Sequence, residues 1–149
     1  MNHSRLQTRS SRRRMTGVTL LELMAVVMVI GILGMIALPS YRQYVMRAQR
    51  IEAKSALLQI ATNQERFYLA NRTYGGTANL TALGFPTGTT EKGSYTLTIA
   101  GANANGYTAT ATPIAGGGVD MTLDDMCTSF SINAQGVRTA TGSAAANCW

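Results

Sequence analysis

Histidine is almost missing from this 149-residue chain: the single copy, His3, lies among the first residues. The commonest general base and the commonest zinc ligand are therefore absent from everything that follows. Cysteine is nearly as scarce, with only Cys127 and Cys148. Two thiols without a histidine make neither a four-donor metal site nor a nucleophile–base pair. No catalytic residue, no metal site and no cofactor is expected, and an enzyme is excluded. Charged residues make up 13% of the chain, and they are unevenly placed. Of thirteen bases, Arg5, Arg9, Arg12, Arg13 and Arg14 precede residue 17, which leaves eight bases against seven acids in the remainder. The formal charge of +6 thus belongs mostly to the first residues. From Asn71 onward the bases are Arg72, Lys92 and Arg138, so there is no strong nucleic-acid signal.

What the chain does have is one long apolar run. Between Val18 and Leu38 the only charged residue is Glu22, and the run stops at Pro39. At ~1.5 Å per helical residue it spans ~30 Å, the thickness of a bilayer's hydrocarbon core. A secretory signal has a shorter apolar region, about 7–15 residues, followed by small residues. Here the run ends Ile36-Ala37-Leu38-Pro39 with no small-x-small site. A plain membrane anchor fits the length but gives Glu22 no purpose. A carboxylate in the apolar phase costs ~2.5–3.5 kcal/mol even on lenient insertion scales, so this acid needs a partner.

Gly17 followed by an apolar stretch whose fifth residue is Glu22, within Thr19-Leu20-Leu21-Glu22-Leu23, resembles the processing site of type IV prepilins. The resemblance implies that residues 1–17 are a basic leader removed by a prepilin peptidase. Cleavage falls between Gly17 and Val18, and the new amine of Val18 is N-methylated. Phe or Met is more usual than Val at that first position. The resemblance further implies that Glu22, Gly31, Gly34 and Pro39 serve assembly with other pilin subunits, through the pilus assembly machinery. Gly31, Gly34 and Pro39 each weaken a helix interior, which predicts a bend or a stretch that can unwind.

Beyond Pro39 the pattern turns amphipathic. Ala53, Leu57, Ile60, Gln64 and Phe67 recur at three- and four-residue spacing, with Ala61 and Tyr68 beside them. Ile51, Leu58 and Leu69 form a second apolar flank, and Tyr41 and Tyr44 sit where interfacial aromatics belong. One helix over 18–71 is expected, of which 18–38 is the membrane and assembly segment. Residues 72–149 are expected to form a globular head. Its first part is turn-rich, pinned by Tyr74, Leu80, Leu83 and Phe85. Alternation then predicts strands around Tyr95, Leu97 and Ile99 and around Tyr107, Ala109 and Ala111. Gly116-Gly117-Gly118 reads as a flexible link. Phe130 and Ile132 mark a third strand, and Val137 to Thr141 a fourth.

In an exported domain Cys127 and Cys148 read as one disulfide closing a loop of about 20 residues, worth ~3 kcal/mol in the chain-entropy model. Asp120, Asp124 and Asp125 cluster before it but lack the alternating ligands of an EF-hand loop, so a solvated acidic loop is preferred to a calcium site. Trp149 is expected to cover the disulfide. The fold class is α+β. The order of elements resembles the pilin ladle: a long N-terminal helix, transmembrane in its first half, on a four-stranded antiparallel sheet with a C-terminal disulfide loop. Phe130-Ser131-Ile132, then Gly136, Thr139 and Gly142 before the final Cys, is most similar to PilE-type minor pilins. That implies a single-pass bacterial inner-membrane protein with a periplasmic head. It is then drawn into an extracellular type IV pilus for biogenesis, twitching motility and attachment. A major pilin, a type II secretion pseudopilin and a DNA-uptake competence pilin share the N-terminal pattern and remain open.

Overall fold

The computed structural model describes residues 18–115 and 119–149. Gly17 and the Gly116–Gly118 link lie outside them. The chain divides into two compact units between Leu38 and Pro39, and each is taken by itself.

The first unit holds the start of helix α1, Leu20–Asn71. Thr19 caps it. Its Oγ1 accepts from the Glu22 backbone N–H at 3.2 Å, and its carbonyl accepts from Leu23 at 3.1 Å. Thr19 and Glu22 have the spacing of a capping box, and an acid in the first turn suits the positive end of the helix. The helix continues through Gly31, Gly34 and Pro39 without a break. The Pro39 ring supplies no N–H, which leaves the carbonyl of Met35 without its helical donor. The weak stretch expected between Gly31 and Pro39 is thus helical in this state.

The second unit is the remainder of α1 on a four-stranded sheet. Strands β1 (Tyr95–Asn103), β2 (Gly106–Pro113), β3 (Ser129–Asn133) and β4 (Arg138–Thr141) form an antiparallel meander in the order β1-β2-β3-β4. The β1–β2 turn is tight. Only Ala104 and Asn105 separate the strands, and the register shifts between Ala100 and Asn103. Because strand side chains alternate, one sheet face is fully apolar: Tyr95, Leu97, Ile99, Tyr107, Ala109, Ala111, Phe130 and Ile132 are all buried. Ala53, Ala56, Leu57 and Ile60 of α1 are buried in the same cluster, as the helical periodicity predicts. Leu80, Leu83 and Phe85 close it from the helix-to-sheet loop.

That loop is held by polar side chains of α1. Gln64, fully buried, donates from Nε2 to the Gly75 carbonyl at 2.6 Å and accepts the Gly75 N–H at 2.8 Å. Asn63 donates to the Leu83 carbonyl at 2.9 Å, and Glu52 accepts the Lys92 N–H at 2.8 Å. The loop in turn lies along the outer side of β1. Tyr74 N–H bonds the Asn103 carbonyl, Thr77 Oγ1 bonds both backbone groups of Ile99, and Leu97 N–H bonds the Gly88 carbonyl. A buried glutamine within an apolar stripe is explained by this tie. Gln64→Leu strands a buried donor and acceptor at Gly75, each worth ~1–3 kcal/mol. The variant is expected to lose ~2–4 kcal/mol of stability in denaturant melts.

Candidate assembly surface

In the first unit every residue from Val18 to Leu38 is exposed except Gly34, which is half-exposed. The run is long and apolar enough to cross a membrane, and no residue of it is buried. Exposure is extreme for such side chains, with Val18 at 71% and Met35 at 80%. A cylinder of Leu, Ile, Val and Met in water is untenable, because each such side chain gains ~1.5–3 kcal/mol on burial. The surface therefore demands an apolar surrounding, either lipid or other helices. Glu22 stands in its first turn, and its carboxylate meets no partner among the described residues. Gly31 and Gly34 have nothing within 4 Å of where a Cβ would lie, so no intramolecular packing requires either glycine. Gly17 lies outside the described residues, while Val18 immediately precedes the capping threonine.

In the second unit α1 fastens the disulfide-closed segment. Cys127 and Cys148 are bonded and buried. Arg50 donates from Nε and Nη2 to the two oxygens of Asp124, both at 2.5 Å, in a bidentate pair. Asp124 is 2% exposed and Arg50 17%. The hydrogen bond to Asp124 raises the guanidinium pKa despite partial desolvation. Asp124 also accepts the N–H groups of Met126 and Cys127. One turn along α1, Lys54 donates to the Cys148 carbonyl at 3.0 Å. Arg50 and Lys54 thus hold the two ends of the bridge. The phenol of Tyr95 nearby is pushed well above its usual range, first by burial and then by the Asp124 charge.

This corrects the reading of a solvated acidic loop. Asp124 is buried and paired, and Asp120 caps the short turn Met121–Leu123 by accepting from Thr122, which lowers its pKa. Among the described residues no group of three acids, histidines or cysteines could hold a metal ion. Trp149 packs against the core cluster that includes both cysteines, and it reaches further. Its ring meets Phe130 edge-on at 6.0 Å, its Nε1–H donates to the Thr139 carbonyl at 2.6 Å, and Arg138 lies over its face. It thereby also covers the free side of β4. Gly142, at φ +126°, lets the chain pass so close to Met126 that a Cβ would lie 2.4 Å from that carbonyl.

A family model described as "Type IV minor pilin ComP, DNA uptake sequence receptor" matches residues 39–131, more than half of the chain. The chain belongs to the type IV pilin family. Pilins are structural, non-enzymatic proteins that assemble with other pilins. The type IV major pilin protein PilA of Myxococcus xanthus is 32% identical over 112 residues, covering 75% of this chain and 50% of that protein. A fimbrial protein of Neisseria meningitidis serogroup B is 39% identical over 83 residues, covering 53% and 45%. The chain spans about half the length of the curated relatives it matches. The non-core minor pilin PilV of Neisseria meningitidis superposes with a TM-score of 0.45 at 21% identity, covering 67% of this chain and 90% of that one.

The pilin head thus depends on one buried ion pair for the placement of its disulfide loop. Breaking a buried pair leaves an uncompensated charge, whereas an apolar replacement of both partners is often neutral or better. Arg50→Met is expected to cost the head ~3–5 kcal/mol, and Arg50→Met with Asp124→Leu to recover most of it. Denaturant melts of the two single variants and the double variant close the cycle.

Proposed function

We propose that this pilin is a minor subunit of a type IV pilus. It is inserted in the bacterial inner membrane through residues 18–38 with its head in the periplasm, and is then assembled into the filament for pilus biogenesis, twitching motility and attachment. The observation that carries this reading is the exposed apolar run from Val18 to Leu38, which no other described residue buries. Lipid covers it before assembly, and the helices of neighbouring subunits after it. Prepilin peptidase cuts between Gly17 and Val18, and the Val18 amine is methylated. That amine lies one helical turn from Glu22. In the filament the Glu22 carboxylate meets the amine of a neighbouring subunit. The pair sets register more than affinity, because a helix docked out of place leaves a charge unpaired at a cost of several kcal/mol. Gly31, Gly34 and Pro39 allow the helix to adapt to its neighbours.

The mature protein is expected to begin at a methylated Val18 by intact mass. Glu22→Gln is expected to be cut and to accumulate in the membrane normally, yet to be depleted at least tenfold from sheared pili. Wild-type incorporation of Glu22→Gln would sink the pairing, and a start after Ala37 would sink the pilin processing. Abundance in the same sheared fraction separates a trace minor subunit from a dominant one.

A second reading, receptor for DNA during uptake, is favoured by the description of the matching family model. The head's weak charge argues against it, while one patch supports it. Arg66 and Arg72 are exposed at the end of α1, where Tyr68, Tyr74 and the buried Tyr107 form two tilted ring pairs at 4.7 and 4.9 Å and Glu65 accepts from the Tyr74 hydroxyl. Arg72 has φ +60°, a left-handed helix end where glycine costs less, so its side chain is kept at some conformational expense. On this reading the full chain binds duplex DNA, with a logarithmic salt slope that falls by about one for Arg66→Ala or Arg72→Ala. Absence of retention at low salt would dispose of it.

A further inference from the structure

The solvent face of the sheet is a grid of hydroxyls. Strand register places Thr98, Thr110, Ser131 and Thr139 in one unbroken row across all four strands. Thr96 pairs with Thr112, and Ser129 with Thr141, on the same face one pleat away. Thr89 extends this second row through its bridge to Thr96. Ala100, Thr108 and Asn133 form a third row. No ionisable side chain stands among the outward positions of these four strands. Neighbouring rows and strands repeat at ~6.7 and ~4.8 Å, so the hydroxyls lie on a regular lattice.

The grid is partly wired and partly open. Ser131 Oγ and Thr139 Oγ1 are 2.7 Å apart, and Ser129 Oγ and Thr141 Oγ1 2.6 Å. The hydroxyls of Thr98, Thr108, Thr110 and Thr112 have no partner among the described residues, and each can donate once and accept twice. At one end the face dips into a depression of about 180 Å³ lined by Thr108, Ser131, Asn133, Val137 and Thr139. Drug-sized ligands want ~300 Å³ or more, so this hollow suits a single small ring. Asn133 is fixed there by accepting the N–H groups of Gln135 and Val137, and Val137 offers an exposed apolar wall.

Charge decides the class of partner. Nucleic acid needs cations and finds none on this face. A protein hot spot wants aromatic or arginine anchors, and there are none here either. A neutral polyhydroxylated polymer has the matching chemistry. Its hydroxyls both donate and accept, its C–H faces meet threonine methyls and Val137, and its repeat answers a repeating grid. We propose that the outer sheet face is a binding surface for neutral polysaccharide, with one sugar ring seated in the Thr108–Asn133–Thr139 hollow. This surface does not depend on the filament reading.

The test uses the full chain in detergent micelles and affinity electrophoresis through dextran, mannan or galactan, with polygalacturonate and duplex DNA as anionic comparisons. At least one neutral polymer is expected to retard the protein, and to do so still at ~1 M salt, where charge attraction is screened within ~3 Å. Thr139→Val keeps the β-branch, removes the hydroxyl and is expected to weaken retardation about tenfold with an unchanged melting temperature. Should that variant lose the fold through its bond to Ser131, Thr98→Val reads the same row without disturbing a protein hydrogen bond. Failure of every neutral polymer to retard the chain would overturn the proposal. Equal retardation of the valine variants, or retardation by anionic polymers alone that vanishes in salt, would also overturn it.

Discussion

A single turn of α1 carries the placement of everything after β2. Arg50 and Lys54 are four residues apart, so they project from one side of the helix. Between them they bind the two ends of the segment closed by Cys127 and Cys148. A disulfide by itself only shortens the unfolded loop and does not say where the closed loop should lie. The buried Arg50–Asp124 pair supplies the position, because no other arrangement satisfies a carboxylate that is 2% exposed. Asp124 then orders the backbone leading into Cys127, and Phe130 and Ile132 follow in register on β2. The ion pair is poor evidence of net stability but good evidence of specification.

The same helix works the opposite flank by a different means. Gln64 and Asn63 hold loop backbone with neutral amides, and the half-buried Glu52 adds one carboxylate oxygen. The division is sensible in energetic terms. The helix-to-sheet loop already contributes Leu80, Leu83 and Phe85 to the core and needs only its polar groups satisfied. The disulfide segment also reaches the core, through Cys127, Phe130, Ile132 and Cys148, and adds the buried pair.

Much of this was legible beforehand, because the signals involved are periodic or local. The stripe Ala53, Leu57, Ile60 and Gln64 repeats at helical spacing, and the strand alternation at Tyr95–Ile99 and Tyr107–Ala111 places every inward residue correctly. The cysteines could pair only with one another. What periodicity does not carry is the choice among polar partners. Arg50 was one of four bases after the apolar run, and Asp124 one of three neighbouring acids, with 74 residues between them. Only the folded register brings them together. The Thr19 cap was open to inspection in the Thr19-x-x-Glu22 spacing but was overshadowed by the more conspicuous acid. Trp149 adjoins the disulfide in sequence, but its contacts with Phe130 and with the Thr139 carbonyl of β4 depend on the folded register. The hydroxyl rows could not be read at all without strand register, since Thr98, Thr110, Ser131 and Thr139 have no common interval along the chain.

The two margins of the sheet differ in a way that bears on self-association. Along β1 the helix-to-sheet loop occupies backbone donors and acceptors from Tyr95 to Asn103, while β4 is brief and screened by one indole. Exposed strand margins template uncontrolled edge-to-edge stacking between copies. Sealing the long margin and truncating the short one removes that competing route. Little strand backbone is then left through which one head could zip to another, and association between pilins falls to surfaces other than the sheet margins.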